Sequence, residues 1–341
     1  MSELINKIKN KIEHGRIIHS DSFNPWYNLA LEEYLLDNTR KNEVILYLWQ
    51  NDKTVVIGRN QNAWKECDCK TLEENGGKLA RRLSGGGAVY HDLGNLNFTF
   101  IMDKNLYDIH TQLEVILKSV RNSNIEAEFS GRNDLVASGR KFSGNAFYYS
   151  TKASYHHGTI LIDTDFKHML QYLQPSKEKI ESKGIESIKS RVVNLKELNS
   201  SVSIDQMKKE LEKNFKELYE VTPKKEIISP NQISQVGELK NKYSSWEWRY
   251  GQAPDFDITY DTRFDWGDIE LGLSLSKGVI TNAKIYSDAM NADLIEDVAT
   301  TLKGSQFKID SIVKAIRKVE HDKKDENLIE DLIDWLKEKR I

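Results

Sequence analysis

A chain of 341 residues is longer than the size at which one hydrophobic core keeps growing, so two domains are expected. Its 49 Lys and Arg against 52 Asp and Glu leave a formal charge of −3, which argues against a nucleic-acid binder working through a bulk basic field; any anion site must be local. No apolar run is long enough to cross a bilayer, and Met1–Arg16 lacks a signal-peptide core, so no membrane association and a cytoplasmic location are expected.

Residues 1–15 read as a polar extension, with Leu4, Ile5, Ile8 and Ile12 at the spacing of a short helix. Ser22-Phe23-Asn24-Pro25 is a helix start, since Asn24 suits the cap and Pro25 the first turn; Leu29, Ala30, Leu31, Tyr34 and Leu35 then follow at core-facing spacing to Asp37-Asn38. Val44–Trp49 and Thr54–Ile57 are β-rich runs, and Gln50–Lys53 between them reads as a hairpin turn. Arg59, in Gly58-Arg59-Asn60-Gln61, reads as a solvated loop arginine. Cys67 and Cys69 are the only cysteines; their spacing is shorter than a usual zinc pair and no second pair matches it, so they read as ordinary thiols.

Lys78–Arg82 and Ala88–His91 read as strands entering and leaving Arg81-Arg82-Leu83-Ser84-Gly85-Gly86-Gly87-Ala88-Val89-Tyr90-His91-Asp92. Glycines there admit positive φ and let a phosphate lie against backbone N–H groups, while the arginines supply charge-assisted donors. The glycine run alone also fits a β-turn. No Gly-Lys-Ser/Thr follows it, and Tyr90 stands where the dinucleotide fingerprint needs its third glycine.

Phe98–Met102 continues the sheet, and a helix with Leu113, Ile116, Leu117 and Val120 on its core face ends before Asn122. Asn133 and Asp134 fit either an Asx-type turn or a contact to a metal or a phosphate. Gly139–Ala146 reads as a second small-residue loop, in which Lys141 is placed to meet a carboxyl or an α-phosphate as a compact charge. Tyr155–Ile162 is a strand with His157 and Thr159 on one face. His156 points to the other, so of the two histidines one is expected to be exposed and one to be a satisfied core or site residue.

Pro175–Asn194 is irregular and long enough to read as a lid over a ligand. Ile204–Tyr219 is a helix. The aromatic stretch Ser245–Pro254 is expected to pack at a domain junction, and it is followed by three antiparallel strands (Phe256–Phe264, Ile269–Ser276, Val279–Ser287) and helices at Asp293–Leu302, Ser311–Val319 and Leu328–Lys337. The domains are therefore set at residues 16–250 and 251–341, after the extension 1–15.

From about residue 16 onward the chain resembles the lipoate-protein ligases. The matching stretches are Asp21–Ala30, Thr54–Glu66, Arg81–Asn95, Gly131–Val136, Lys141–Ala146, His156–Leu161, Lys183–Leu195 and Ser244–Pro254, in order. The resemblance implies an α/β (α+β) catalytic domain of the class II synthetase-like biotin/lipoate ligase fold, with mixed sheets and flanking helices, plus a small α+β accessory domain. It also implies an enzyme that activates lipoate with ATP and magnesium to lipoyl-AMP, releasing pyrophosphate, and passes the lipoyl group to a lysine of a lipoyl domain. The acceptors would be a 2-oxoacid dehydrogenase E2 or the glycine-cleavage H protein, with octanoate as a second small-molecule substrate, and the enzyme a monomer.

Carried over by motif, Lys141 is the catalytic lysine, touching both acyl carboxyl and phosphate. Arg82, Gly87, Ala88, Val89, Tyr90, Asn133 and Asp134 fall with it on the ATP and adenylate side, Asp134 being also the candidate magnesium ligand. Arg81, Ser84, Gly85, Gly86, His91, His157 and Thr159 fall on the lipoate side, and Lys183 and Arg191 in the loop that closes over the adenylate. Two other readings compete. A lipoyl or octanoyl transferase of the same fold would need Cys67 or Cys69 as nucleophile, whereas a non-catalytic lipoate or adenylate binder would need none. Lipoate-dependent release of pyrophosphate separates the ligase from both.

Overall fold

The computed structural model describes residues 11–131, 133–174, 190–250, 256–276 and 278–339. Helix α1 (Pro25–Asp37) begins where its chemistry predicts: the Asn24 side chain accepts from the Trp26 and Tyr27 N–H groups, and Pro25 occupies the first turn. Such a cap contributes about 1 kcal/mol. Helices α2 (Ile109–Arg121) and α3 (Ile204–Tyr219) are started in the same way by Asp108 and Ser203.

The strands are β1 (His14–Ser20), β2 (Glu43–Trp49), β3 (Thr54–Ile57), β4 (Lys78–Arg81), β5 (Val89–His91), β6 (Asn95–Asp103), β7 (Ala127–Ser130), β8 (Asp134–Ala137), β9 (Arg140–Tyr149), β10 (Ala153–Leu161) and β11 (Lys224–Ile228), then β12 (Ile258–Phe264), β13 (Gly267–Ser276) and β14 (Val279–Ser287). Eight of them form one mixed sheet in the order β11-β1-β2-β6-β10-β9-β8-β7. Its β11/β1 and β1/β2 pairs are parallel, and the other pairs are antiparallel.

Both faces of this sheet are covered. On β10, His156 meets Gln112 of α2 while its neighbour His157 meets Glu32 of α1. Adjacent strand residues point to opposite faces, so α1 and α2 lie on opposite sides. This is why every residue of β2 and β6 is buried, including the polar Asn95, Asn97 and Thr99 that alternate with apolar residues along β6. It also corrects the expectation of one exposed histidine: His156 is 0% and His157 6% exposed.

Thr54–Ile57 is no hairpin partner of Glu43–Trp49. It is the centre of a separate three-stranded sheet, β4-β3-β5, so the segment between β2 and β3 passes from one sheet to the other. The stretch around Lys141 is likewise strand β9, where a loop was expected, and the preceding turn holds both Ser138 (φ +50°) and Gly139 (φ +71°) in the left-handed region that favours glycine.

The chain divides into two compact units. The described part of the larger one runs to Val56, then through Trp64–Arg81 and Val89–Arg249. The other comprises Ile57–Ala63, Arg82–Ala88 and the C-terminal region from Tyr250. In it, β12, β13 and β14 form an antiparallel sheet, as the sequence predicts, against helices α4 (Ala292–Leu302), α5 (Ile309–Ile316) and α6 (Glu326–Lys337), around Leu271, Leu273, Ile295, Val298, Leu332 and Ile333. The glycine loop therefore belongs by its contacts with this unit, although it lies in sequence within the region predicted to form the first domain. In the stretch expected at a junction, the rings of Trp246 and Trp248 lie against Trp64 and Tyr243 respectively, all four in the larger unit, which ends at Arg249. Among the described residues no helix is long and apolar enough to cross a membrane.

Candidate active site

Lys141 lies near the start of β9, and its ammonium is 2.7 Å from Asp134 Oδ1 on the neighbouring strand β8. Both side chains are 36% exposed, so the lysine is held but not sealed. Gly144 leaves room for it, because a Cβ there would stand 2.9 Å from Lys141 Nζ. The Lys141 backbone donates to Arg191 O (2.8 Å) and accepts from the Val193 N–H (2.9 Å), which ties the lysine to the C-terminal end of the predicted closing loop. Residues 175–189 of that loop, Lys183 among them, lie outside the described residues.

Asn133 is stitched to Asn145: its side-chain amide donates to Asn145 O (2.9 Å), and its carbonyl accepts from the Asn145 backbone (3.0 Å) and side chain (2.8 Å). Thr159 Oγ1 accepts from the Gly144 N–H at 3.2 Å. Asn133, Asp134, Lys141 and Thr159 thus share one neighbourhood across β8, β9 and β10.

His157 anchors a second cluster. Its Nδ1 lies 2.9 Å from Glu32 Oε1, which also accepts from Thr99 Oγ1 (2.7 Å), and Trp49 Nε1 donates to Thr99 Oγ1 (3.0 Å). Glu32 is 2% exposed. Sequence reasoning missed Glu32, Thr99 and Trp49. The available signal was Glu32 itself, a carboxylate at i+3 from Leu29 and four residues before Leu36, on the buried face of the helix. His156 is fully buried between Gln112 Oε1 (3.0 Å) and Asn145 Oδ1 (2.8 Å), and burial holds its pKa well below the ordinary 6.5, with His157 pushing the same way. His91 Nδ1 lies 3.1 Å from Asn51 Nδ2, with its ring edge-on to Trp49.

The glycine loop is braced from within. Arg82 donates to Ser84 Oγ (3.0 Å), Gly85 O (2.7 Å) and Gly87 O (2.8 Å), and it is 5% exposed. Of the three glycines only Gly87 is exposed. Gly58 is required because a Cβ there would meet Gly86 O at 2.2 Å. Arg81 Nε and Nη2 donate to the Trp248 and Arg249 carbonyls, each at 2.8 Å. Val89 and Tyr90 lie on β5, with the Tyr90 phenol buried and its pKa pushed up by that burial.

Arg59 is not a solvated loop residue. It pairs with Asp293 (2.5 Å) and Glu296 (2.8 Å). Cys67 and Cys69 are free thiols, 2% and 5% exposed.

This architecture of a doubly covered mixed sheet, a lysine on a strand and a braced glycine loop agrees with a family model described as the lipoyl protein ligase A/B catalytic domain, which matches residues 24–216. A second, the bacterial lipoate protein ligase C-terminus, matches residues 253–336. The chain belongs to the lipoate-protein ligase family and is an enzyme. A lipoate-protein ligase A of Blochmanniella floridana is 41% identical over 299 residues, covering 86% of this chain and 89% of that protein. The crystal structure of P. falciparum LipL1 in complex with lipoate has a TM-score of 0.84 at 31% identity, covering 95% of this chain and 100% of that one. A bipartite lipoate protein ligase from Thermoplasma acidophilum, described together with its E2 lipoyl domain, has a TM-score of 0.64 at 30% identity over 72% of this chain and 99% of that one. A lipoate-protein ligase A bound with ATP has a TM-score of 0.61 at 29% identity over 70% of this chain and 99% of that one.

Proposed function

We propose that this enzyme joins lipoate and ATP to form lipoyl-AMP and pyrophosphate, then transfers the lipoyl group to a lysine of a lipoyl-domain acceptor, an E2 or H protein. The observation that carries this reading is Lys141, a half-exposed ammonium fixed by Asp134 in a niche opened by Gly144.

In the first step a lipoate carboxylate oxygen attacks the α-phosphorus and the bond to the β-phosphate bridging oxygen breaks. Negative charge grows on the equatorial oxygens, and Lys141 neutralises it without forming a covalent bond. In the second step the acceptor amine attacks the acyl carbon, AMP leaves with the bonding electron pair, and the amine proton passes to solvent; the protein's task there is positioning. Gly87 through Tyr90 and Arg82 serve the nucleotide in this reading, and His157 and Thr159 the lipoate. Arg81, Ser84, Gly85, Gly86 and His91 are proposed for the lipoate side, and Lys183 and Arg191 for closure.

Magnesium is not given a cage by the described residues. Among the described residues no group of three His, Cys, Asp or Glu side chains is placed to hold an ion, and the Asp134 carboxylate is engaged by Lys141. Any metal is therefore assigned to the nucleotide. The transferase alternative is disfavoured by the burial of both cysteines, since a nucleophile must reach its substrate. A cytoplasmic monomer that also accepts octanoate completes the reading. Incubation with lipoate, ATP and an apo lipoyl domain tests it: lipoate-dependent pyrophosphate release and a mass gain of one lipoyl group on the acceptor are expected, and neither occurring would overturn it.

A further inference from the structure

The turn that joins β14 to α4 presents a run of oxygen acceptors to the glycine loop and its neighbour Arg59. The Gly86 N–H donates to Ala289 O at 3.3 Å, and a Cβ on Gly85 would stand 2.0 Å from Ala289 O and 2.7 Å from Met290 O. The contact is stitched on both sides, by Ser287 N–H to Asn60 O (2.9 Å) and by Asn60 Nδ2 to Ala292 O (2.6 Å). Arg59 points its two terminal nitrogens at Asp293 (2.5 Å) and Glu296 (2.8 Å). A backbone N–H in a glycine turn next to a guanidinium is the donor pattern of an oxyanion site. Here it is filled by two carboxylates and a carbonyl of the same chain.

We propose that Ala289, Asp293 and Glu296 form an internal stand-in for the phosphate groups of the nucleotide, latching Arg59 and the glycine loop until an incoming phosphate exchanges for them. The inference rests on the nucleotide role proposed for this loop and adds Arg59 as a phosphate-binding residue. Gly85 acquires a second purpose, since it allows the carbonyls of residues 289 and 290 to approach. The latch is built to open. Asp293 and Glu296 are about half exposed, and burial together with the nearby Asp297 and Glu296 carboxylates holds the Asp293 pKa above the ordinary carboxylate range despite Arg59. A competitor that occupies the site in most molecules lowers apparent ligand affinity by the open fraction, so removing it must tighten nucleotide binding.

The test is the full-length double variant Asp293→Asn with Glu296→Gln, checked for an unchanged melting temperature. Its KM for ATP in lipoate-dependent pyrophosphate release, and its Kd for α,β-methylene-ATP by calorimetry, are expected to fall by about threefold to tenfold, the size of two partly exposed ion pairs. Arg59→Ala is expected to raise both, which loss of a merely structural pair would not do. If the double variant is unstable, Glu296→Gln alone is read in the same way, with a smaller fall. An unchanged or raised KM and Kd in the latch variant overturns the proposal. Tighter analogue binding without pyrophosphate release in the parent protein would instead sink the ligase reading and leave the latch standing.

Discussion

Lys141 Nζ stands 2.7 Å from Asp134 Oδ1 across the β8/β9 pair, so the residue proposed to neutralise the reacting phosphate is held by a carboxylate on the adjacent strand. Lys141→Ala is expected to lower the rate of lipoate-dependent pyrophosphate release by about 10²–10³, the loss typical of one preorganised donor to a developing charge. Asp134→Asn removes the holding charge but leaves the ammonium, and a much smaller fall is expected. Equal losses in the two variants would make Asp134 a participant in its own right.

Gly87 and Gly85 separate two uses of glycine in one loop. A Cβ at Gly87 meets nothing within 4 Å, so Gly87→Ala is expected to fold with unchanged thermal stability. If the loop contacts nucleotide there, its KM for ATP should still rise. Gly85→Ala drives a Cβ to 2.0 Å from Ala289 O, and a lower melting temperature is expected. Thermal melts beside ATP titrations distinguish the two effects.

Glu32 accepts from both Thr99 and His157 inside the core. Glu32→Ala strands two buried donors, and each unsatisfied group costs about 1–3 kcal/mol. Glu32→Gln keeps an acceptor oxygen and should recover most of that loss. Urea midpoints of the three proteins measure it, and equal midpoints for Ala and Gln would mean the hydrogen bonds carry no stability.

His156 ties stability to pH. Burial depresses its folded pKa well below 6.5, whereas the unfolded chain takes up a proton near that value. The unfolded state therefore binds more protons in acid, so the contribution is fully present above about pH 6.5, declines as pH falls, and stops declining below the folded pKa. The slope approaches about 1.4 kcal/mol per pH unit. Denaturant midpoints between neutrality and mild acid are expected to fall less steeply in His156→Gln, provided the glutamine amide keeps a bond to Asn145 or Gln112.

Local chemistry made much of this protein legible in sequence. The Asn24-Pro25 start, the stripe Met207, Leu211 and Phe215 of α3 and the three C-terminal strands all follow from caps and periodicities that act over a few residues. Lys141 and the glycine loop were marked by residue type, and the resemblance of ordered motifs supplied the family. Pairings between distant segments were decided only in three dimensions. Thr54–Ile57 left Glu43–Trp49 for another sheet because β1 and β6 already occupy both edges of β2. His156 and His157 are both buried because helices cover both faces of β10, which no alternation along one strand can reveal. Arg59 meets Asp293 across 234 residues of chain, and Glu32 meets His157 across 125. Propensities and patterns report what a residue does with its neighbours in sequence. Ion pairs and buried hydrogen bonds depend on which surfaces the packed core brings within about 3 Å, and that the tertiary structure alone determines.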